Sequence, residues 1–98
     1  MITSKQRARL RAMANGLSPI AQIGKGGIVD NIIKQLDDAL EAHELIKVTV
    51  LETALLTARE ACDVCAQKLG AEPVQSIGLK FVLYRQAREP KKRKIKLN

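Results

Sequence analysis

The chain has 98 residues, 46% of them apolar and 28% charged, which suffices for one folded domain with a modest core and is too little for two. Its net charge is +7, and Phe81 and Tyr84 are its only aromatic residues. A platform that stacks several bases on aromatic rings therefore has few residues to work with. No apolar run approaches the roughly 20 residues of a membrane span, and no signal-peptide core opens the chain, so a cytoplasmic protein is expected.

Charge is placed unevenly. Residues 1–11 carry Lys5, Arg7, Arg9 and Arg11 and no acid; residues 85–98 carry seven cations against Glu89; the stretch between them is net −3. A slightly acidic body with two basic ends suits a polyphosphate partner, which gains affinity by counterion release, and equally an acidic protein surface. Cys62 and Cys65 form a single C-x-x-C inside a helical pattern. A zinc site would need two more ligands and His43 is the only histidine, so both read as small buried thiols. No cofactor, metal or catalytic set is expected: His43 has no evident nucleophile, and the acids fall on a solvated helix face.

Taken in order, Thr3 or Ser4 can cap a first helix that Asn15-Gly16 ends through a left-handed residue. Ile2, Gln6, Leu10 and Met13 form its inner stripe, flanked by the rows Lys5/Arg9 and Arg7/Arg11. Leu17-Ser18-Pro19 breaks the pattern, and Ile20 to Ile23 read as a first strand. Gly24-Lys25-Gly26-Gly27 follows, then Val29, Ile32, Ile33, Leu36, Ala39 and Leu40 at a 3.6-residue period. A glycine loop thus joins a strand to a helix. Without Cβ atoms its backbone can be approached closely, the helix start offers N–H groups, and Lys25 adds a charge, a combination that suits an anion. Asp30, early in that helix, keeps an anion over the loop. The loop is no Walker A motif, since Val29 stands five residues after Gly24 and no Lys-Ser or Lys-Thr follows.

Leu45 to Leu51 reads as a strand covered on both faces, interrupted by Lys47. Thr57 and Glu60 make a capping box for a third helix ending at Leu69 before Gly70, with Ala61, Val64, Cys65 and Leu69 buried. Pro73 to Ile77 and Leu79 to Arg85 read as a hairpin around Gly78, with Leu79, Phe81 and Leu83 on one face and Lys80, Val82 and Tyr84 on the other. Pro90 and the cations after Gln86 read as a disordered tail over 86–98. The order αβαβαββ predicts an α/β fold with a four-stranded mixed sheet, strands one to three parallel and the fourth antiparallel to its neighbour.

The segment GLSPIAQIGKGGIVDNIIKQLDDALEAHELIKV, with VQSIG and VLYR near the end, closely resembles the CRM domain (chloroplast RNA splicing and ribosome maturation) in its free-standing bacterial form, over residues 1–85. The resemblance implies a sheet similar to that of the C-terminal domain of translation initiation factor three. It further implies a non-catalytic, monomeric RNA-binding protein that associates with rRNA in precursors of the large ribosomal subunit. The family's G-x-x-G loop maps onto Gly24, Lys25, Gly26 and Gly27 and is similar to the KH loop that clamps nucleic-acid backbone. Arg7, Arg9, Arg11, Lys47, Lys80 and Arg85 are the candidate flanking cations. The competing expectation is a protein–protein adaptor that docks an acidic partner through its basic ends.

Overall fold

The computed structural model describes residues 2–97, and its elements follow the expected order. Helix α1 (Ser4–Ala14) begins at Thr3, whose hydroxyl accepts the Gln6 N–H at 3.1 Å while the Gln6 side chain accepts the Thr3 N–H at 2.9 Å. Two donors that a helix start leaves over are thereby satisfied. The same reciprocal pair, Thr57 and Glu60, starts α3 (Ala58–Leu69), and Gly70 ends it at φ +62°, a value that suits glycine. Between these helices lie β1 (Ala21–Ile23), α2 (Asp30–His43) and β2 (Leu45–Val50). After α3 come β3 (Glu72–Ile77) and β4 (Lys80–Tyr84), joined by the two-residue turn Gly78-Leu79 with Gly78 at φ +58°.

The sheet has the order β1-β2-β4-β3. Strand β1 pairs parallel to β2, whereas β4 pairs antiparallel to both β2 and β3. The first three strands therefore point one way, as expected, and the hairpin folds β4 back into the gap between β2 and β3. Because β4 is central, its alternating side chains feed two cores. Phe81 and Leu83 pack with Leu36 and Leu40 of α2 and with Ala61 and Cys65 of α3. Val82 and Tyr84 face the other way, against Leu10 and Ala14 of α1. The result is three layers: α2 and α3, the sheet, and α1.

Local departures from the sequence reading have simple causes. Helix α1 ends right-handed, with Asn15 at φ −58° and the Leu17 N–H on the Ala14 carbonyl, so no left-handed cap forms. Ala14 takes the inner position expected of Met13, and Cys62 and Ala66 join the inner stripe of α3 while Val64 stays exposed.

The larger correction concerns residues 86–97, expected as a free tail and found folded onto the domain. Glu44 directs this docking. Fully buried, it stops α2 at φ +66°. Its Oε2 accepts the Ala87 N–H at 2.8 Å, and its Oε1 accepts those of Lys94 and Ile95 at 2.5 and 2.9 Å. Arg88 and Glu89 donate their N–H groups to Glu41, Pro90–Lys92 forms a 3-10 turn, and Ile95 and Leu97 pack against the α1-side core. Two apolar residues and one buried carboxylate thus outweigh the repulsion among the tail's cations.

Burial pushes the Glu44 carboxyl up, but the three N–H donors from Lys94, Ala87 and Ile95 more than offset this and hold it below the ordinary value of 4.5. The folded state then binds fewer protons than the unfolded one in acid, so this contribution is complete above about pH 4.5 and is lost as pH falls through the folded value. Replacing Glu44 with Ala should lower stability by about 3 kcal/mol in denaturant titration, since buried N–H groups lose their partner. Amide exchange at residues 87–95 should accelerate most, and the wild type should show the same local loosening on acidification.

Candidate nucleic-acid interface

The glycine corner is built by the ends of two parallel strands. The Leu51 N–H donates to the Ile23 carbonyl at 2.8 Å, which ties the exit of β1 to the exit of β2. The chain then turns back on itself, with the Gly27 N–H on the Gly24 carbonyl at 2.8 Å, leaving Lys25 and Gly26 exposed at the tip. Gly27 stands at φ +72°, where a side chain would be strained. Gly24 is different: a Cβ there would meet Leu51 Cδ1 at an ordinary 3.5 Å, and one on Gly26 would meet nothing nearer than 3.9 Å. Helix α2 begins just beyond, at Val29, which offers no side-chain cap. Asp30 follows as the one acidic residue of the first turn.

The same end of the sheet carries the turn at Glu52–Ala54 and the Gly78-Leu79 hairpin, because β1, β2 and β3 all finish there. Lys80 enters β4 beside that hairpin, opposite Thr49. Lys47 lies two residues back along β2, opposite Val82, on the same face as Lys80. Both lysines line a crevice of about 410 Å³ with Asn15, Gln75 and Ile77, on the sheet surface just past the end of α1. The corner and Lys80 therefore share one end of the sheet, and Lys47 lies two residues further along β2 on the face that α1 covers in part.

The arginines of α1 divide. Arg7 turns toward the sheet edge, donating from Nε to the Pro73 carbonyl at 3.3 Å, and shares a crevice with Arg59 of α3. Arg9 lies on the other side, in a cleft with Lys5, Gln6 and Leu97, where the Gln6 side chain donates to the Leu97 carbonyl at 3.1 Å. Arg11 is exposed in the last turn. The docked tail thus runs beside α1: Leu97 reaches the Lys5/Arg9 row, Lys96 shares a crevice with Gln6, and Lys94 lies in a groove with Met13. Arg59 and Lys94 escaped the sequence reading. The first lies just inside a helix start with no visible partner row, and the second in a tail that gave no sign of docking beyond Ile95 and Leu97.

Arg85 does not belong with these cations. Only 9% exposed, it donates from Nη1 to Asp37 Oδ1 at 2.7 Å and to the Leu69 carbonyl at 3.1 Å, and from Nη2 to the Asp37 carbonyl at 3.2 Å. It pins α2 to the end of α3 and is closed to a ligand. Hydrogen bonds from Arg88 and Arg85 hold the Asp37 carboxyl below its ordinary range. The thiols of Cys62 and Cys65 are buried and unpaired, and burial pushes each up to about 11. Among the described residues no group of three His, Cys, Asp or Glu side chains could hold a metal ion, and no helix is long and apolar enough to cross a membrane.

Fold and surface together define a small three-layer α/β domain with an open glycine corner and a basic α1 side. Comparison with known proteins names the family: residues 2–85 match the CRS1 / YhbY (CRM) domain, and the chain belongs to it. It is 44% identical over 91 residues to the "Probable RNA-binding protein YqeI" of Bacillus subtilis, covering 93% of this chain and 95% of that one. An "RNA-binding protein" of Haemophilus influenzae is 32% identical over 90 residues, covering 92% and 91%. The solution structure of the hypothetical protein SAV1595 from Staphylococcus aureus superposes with a TM-score of 0.71 at 42% identity, covering 98% of this chain and 100% of that one. The mixed four-stranded sheet and the family are therefore those the sequence pointed to. Residues 86–97 lie beyond the family match.

Replacing Arg85 with Met should cost about 1–2 kcal/mol in a denaturation experiment, because the Leu69 and Asp37 carbonyls lose their donor while the Asp37 carboxylate keeps Arg88. Cys62 and Cys65 should resist iodoacetamide at pH 8 in the folded protein and react promptly once denatured.

Proposed function

We propose that this protein is a non-catalytic RNA-binding module that grips the sugar-phosphate chain at the Gly24-Lys25-Gly26-Gly27 corner and steadies it on Lys80, Lys47 and the cations of α1. The observation that carries the reading is the corner itself: an exposed lysine between glycines, at the tip of a turn whose backbone no side chain covers, in a chain whose relatives bear the name RNA-binding protein. Backbone N–H groups and an ammonium bind phosphate without reading sequence. With Phe81 and Tyr84 both buried, no aromatic ring competes for that role.

Contact through charge and backbone suits a large, folded, heavily phosphorylated partner. We accordingly propose rRNA within a precursor of the large ribosomal subunit as the target, bound by a cytoplasmic monomer. Arg7, Arg9 and Arg11 extend the contact sideways; Arg85 has no part in it.

Binding to a structured rRNA fragment, followed by fluorescence anisotropy between 50 and 300 mM KCl, tests the reading. Each phosphate contact should add roughly 0.7 to 0.9 to the slope of log affinity against log salt. Lys25→Ala should reduce that slope by about one contact and weaken binding by about fivefold. Gly26→Val should weaken it without loss of stability, since a Cβ there meets only Val29 Cγ1 at an ordinary 3.9 Å, whereas Gly27→Val should also cost about 1 kcal/mol in stability through its positive φ. An affinity indifferent to salt, or unchanged in a folded Gly26→Val, would remove the corner from the account. Co-sedimentation with precursors of the large subunit, and not with free small subunits, is the expected cellular distribution.

A further inference from the structure

Three large apolar side chains left out of both cores gather in one place. Met13, Leu17 and Ile20 are 43%, 37% and 39% exposed, and they line a groove of about 420 Å³ between the last turn of α1, the approach to β1 and the docked segment at Lys94-Ile95. Leu45 and Ile46 contribute to its floor, and Ser18, His43, Lys47 and Lys94 supply the polar groups; no carboxylate lines it. The wall made by Lys94 and Ile95 is held rigidly, because Glu44 accepts both their N–H groups.

Lys47 is the informative member. It is half-buried in the middle of a strand, and among the described residues its ammonium has neither an ion pair nor a hydrogen bond. An ammonium that no side chain or carbonyl engages is open to an arriving anion. An apolar floor, a cationic rim, a hydroxyl and an imidazole together match one chemical object well: a flat heteroaromatic base joined to phosphate. With Phe81 and Tyr84 buried, the face of a base would be covered here by thioether and branched aliphatic surface beside the His43 imidazole.

We infer that this groove seats one unstacked nucleobase of the bound RNA, with Lys47 and Lys94 on the phosphates either side of it. The inference rests on the RNA-binding reading and adds to it a site that distinguishes unpaired from paired nucleotides. An acidic, apolar peptide would also satisfy the rim. RNA is favoured because Lys47 borders both this groove and the crevice it shares with Lys80, so the groove opens onto the proposed phosphate track.

The test uses two RNA hairpins that differ at one position, a single bulged adenosine or an abasic sugar in its place. The wild-type protein should bind the bulged hairpin roughly tenfold more tightly, the range expected for covering one base. In the NMR spectrum its Met13 methyl resonance should shift with the bulged hairpin and not with the abasic one. The pair Met13→Gln and Ile20→Gln should bring the ratio to about one while leaving affinity for the abasic hairpin unchanged; should that double variant unfold, Ile20→Ser alone should halve the ratio or better. Equal binding of both hairpins by the wild type would overturn the assignment and leave the phosphate contact standing. Failure to bind either would overturn the RNA reading and this inference with it. Undiminished discrimination in a folded groove variant would also overturn it, as would groove-dependent capture of an acidic apolar peptide without any difference between the RNAs.

Discussion

The docking of the C-terminal segment depends on a buried carboxylate. Glu44 terminates α2 in a positive-φ conformation, sends the chain directly into β2, and accepts N–H groups from three residues of the C-terminal segment. A lone buried anion would be costly, and here the donors of an otherwise unattached strand of chain satisfy it. The consequence is geometric. Lys94, Ile95 and Leu97 are fixed beside α1, so the basic end of the sequence runs along its basic beginning.

The second constraint is topological. Inserting β4 between β2 and β3 commits Phe81, Val82, Leu83 and Tyr84 to one core or the other, while α1 covers only part of its side of the sheet. The uncovered part, past the end of α1, holds Lys47 and Lys80 and borders the ends of β1, β2 and β3, where the glycine corner lies. Helices α2 and α3 seal one side with Arg85 and Asp37 as a rivet, and the α1 side carries exposed lysines and an uncovered apolar groove.

Much of this was legible in the residues. The Thr57/Glu60 capping box, Gly70, Gly78 and the period of α2 are local signals, and local signals name elements well. The alternation of β4 correctly separated Phe81 and Leu83 from Val82 and Tyr84. What could not be read was set by contacts distant in sequence. Nothing near Glu44 announces a positive φ, because its reason is a partner about fifty residues away. Arg85 looked like one cation among many, and only the fold brings Asp37 to it. Met13 and Ile20 looked like core and strand because hydrophobicity says that a residue is apolar, not that the core has room for it. In the tail, Ile95 and Leu97 were outnumbered by cations, and composition does not reveal that two apolar anchors and a buried acceptor await them.

The central claim is that RNA meets this protein at the Gly24–Gly27 corner and along the α1 side of the sheet. Ultraviolet crosslinking of the protein to large-subunit rRNA, with the attached peptides identified by mass spectrometry, measures that contact directly. The account predicts adducts on the peptides containing Lys25, Lys47 and Lys80. Adducts confined to the outer faces of α2 and α3, with that side of the sheet unmarked, would contradict it.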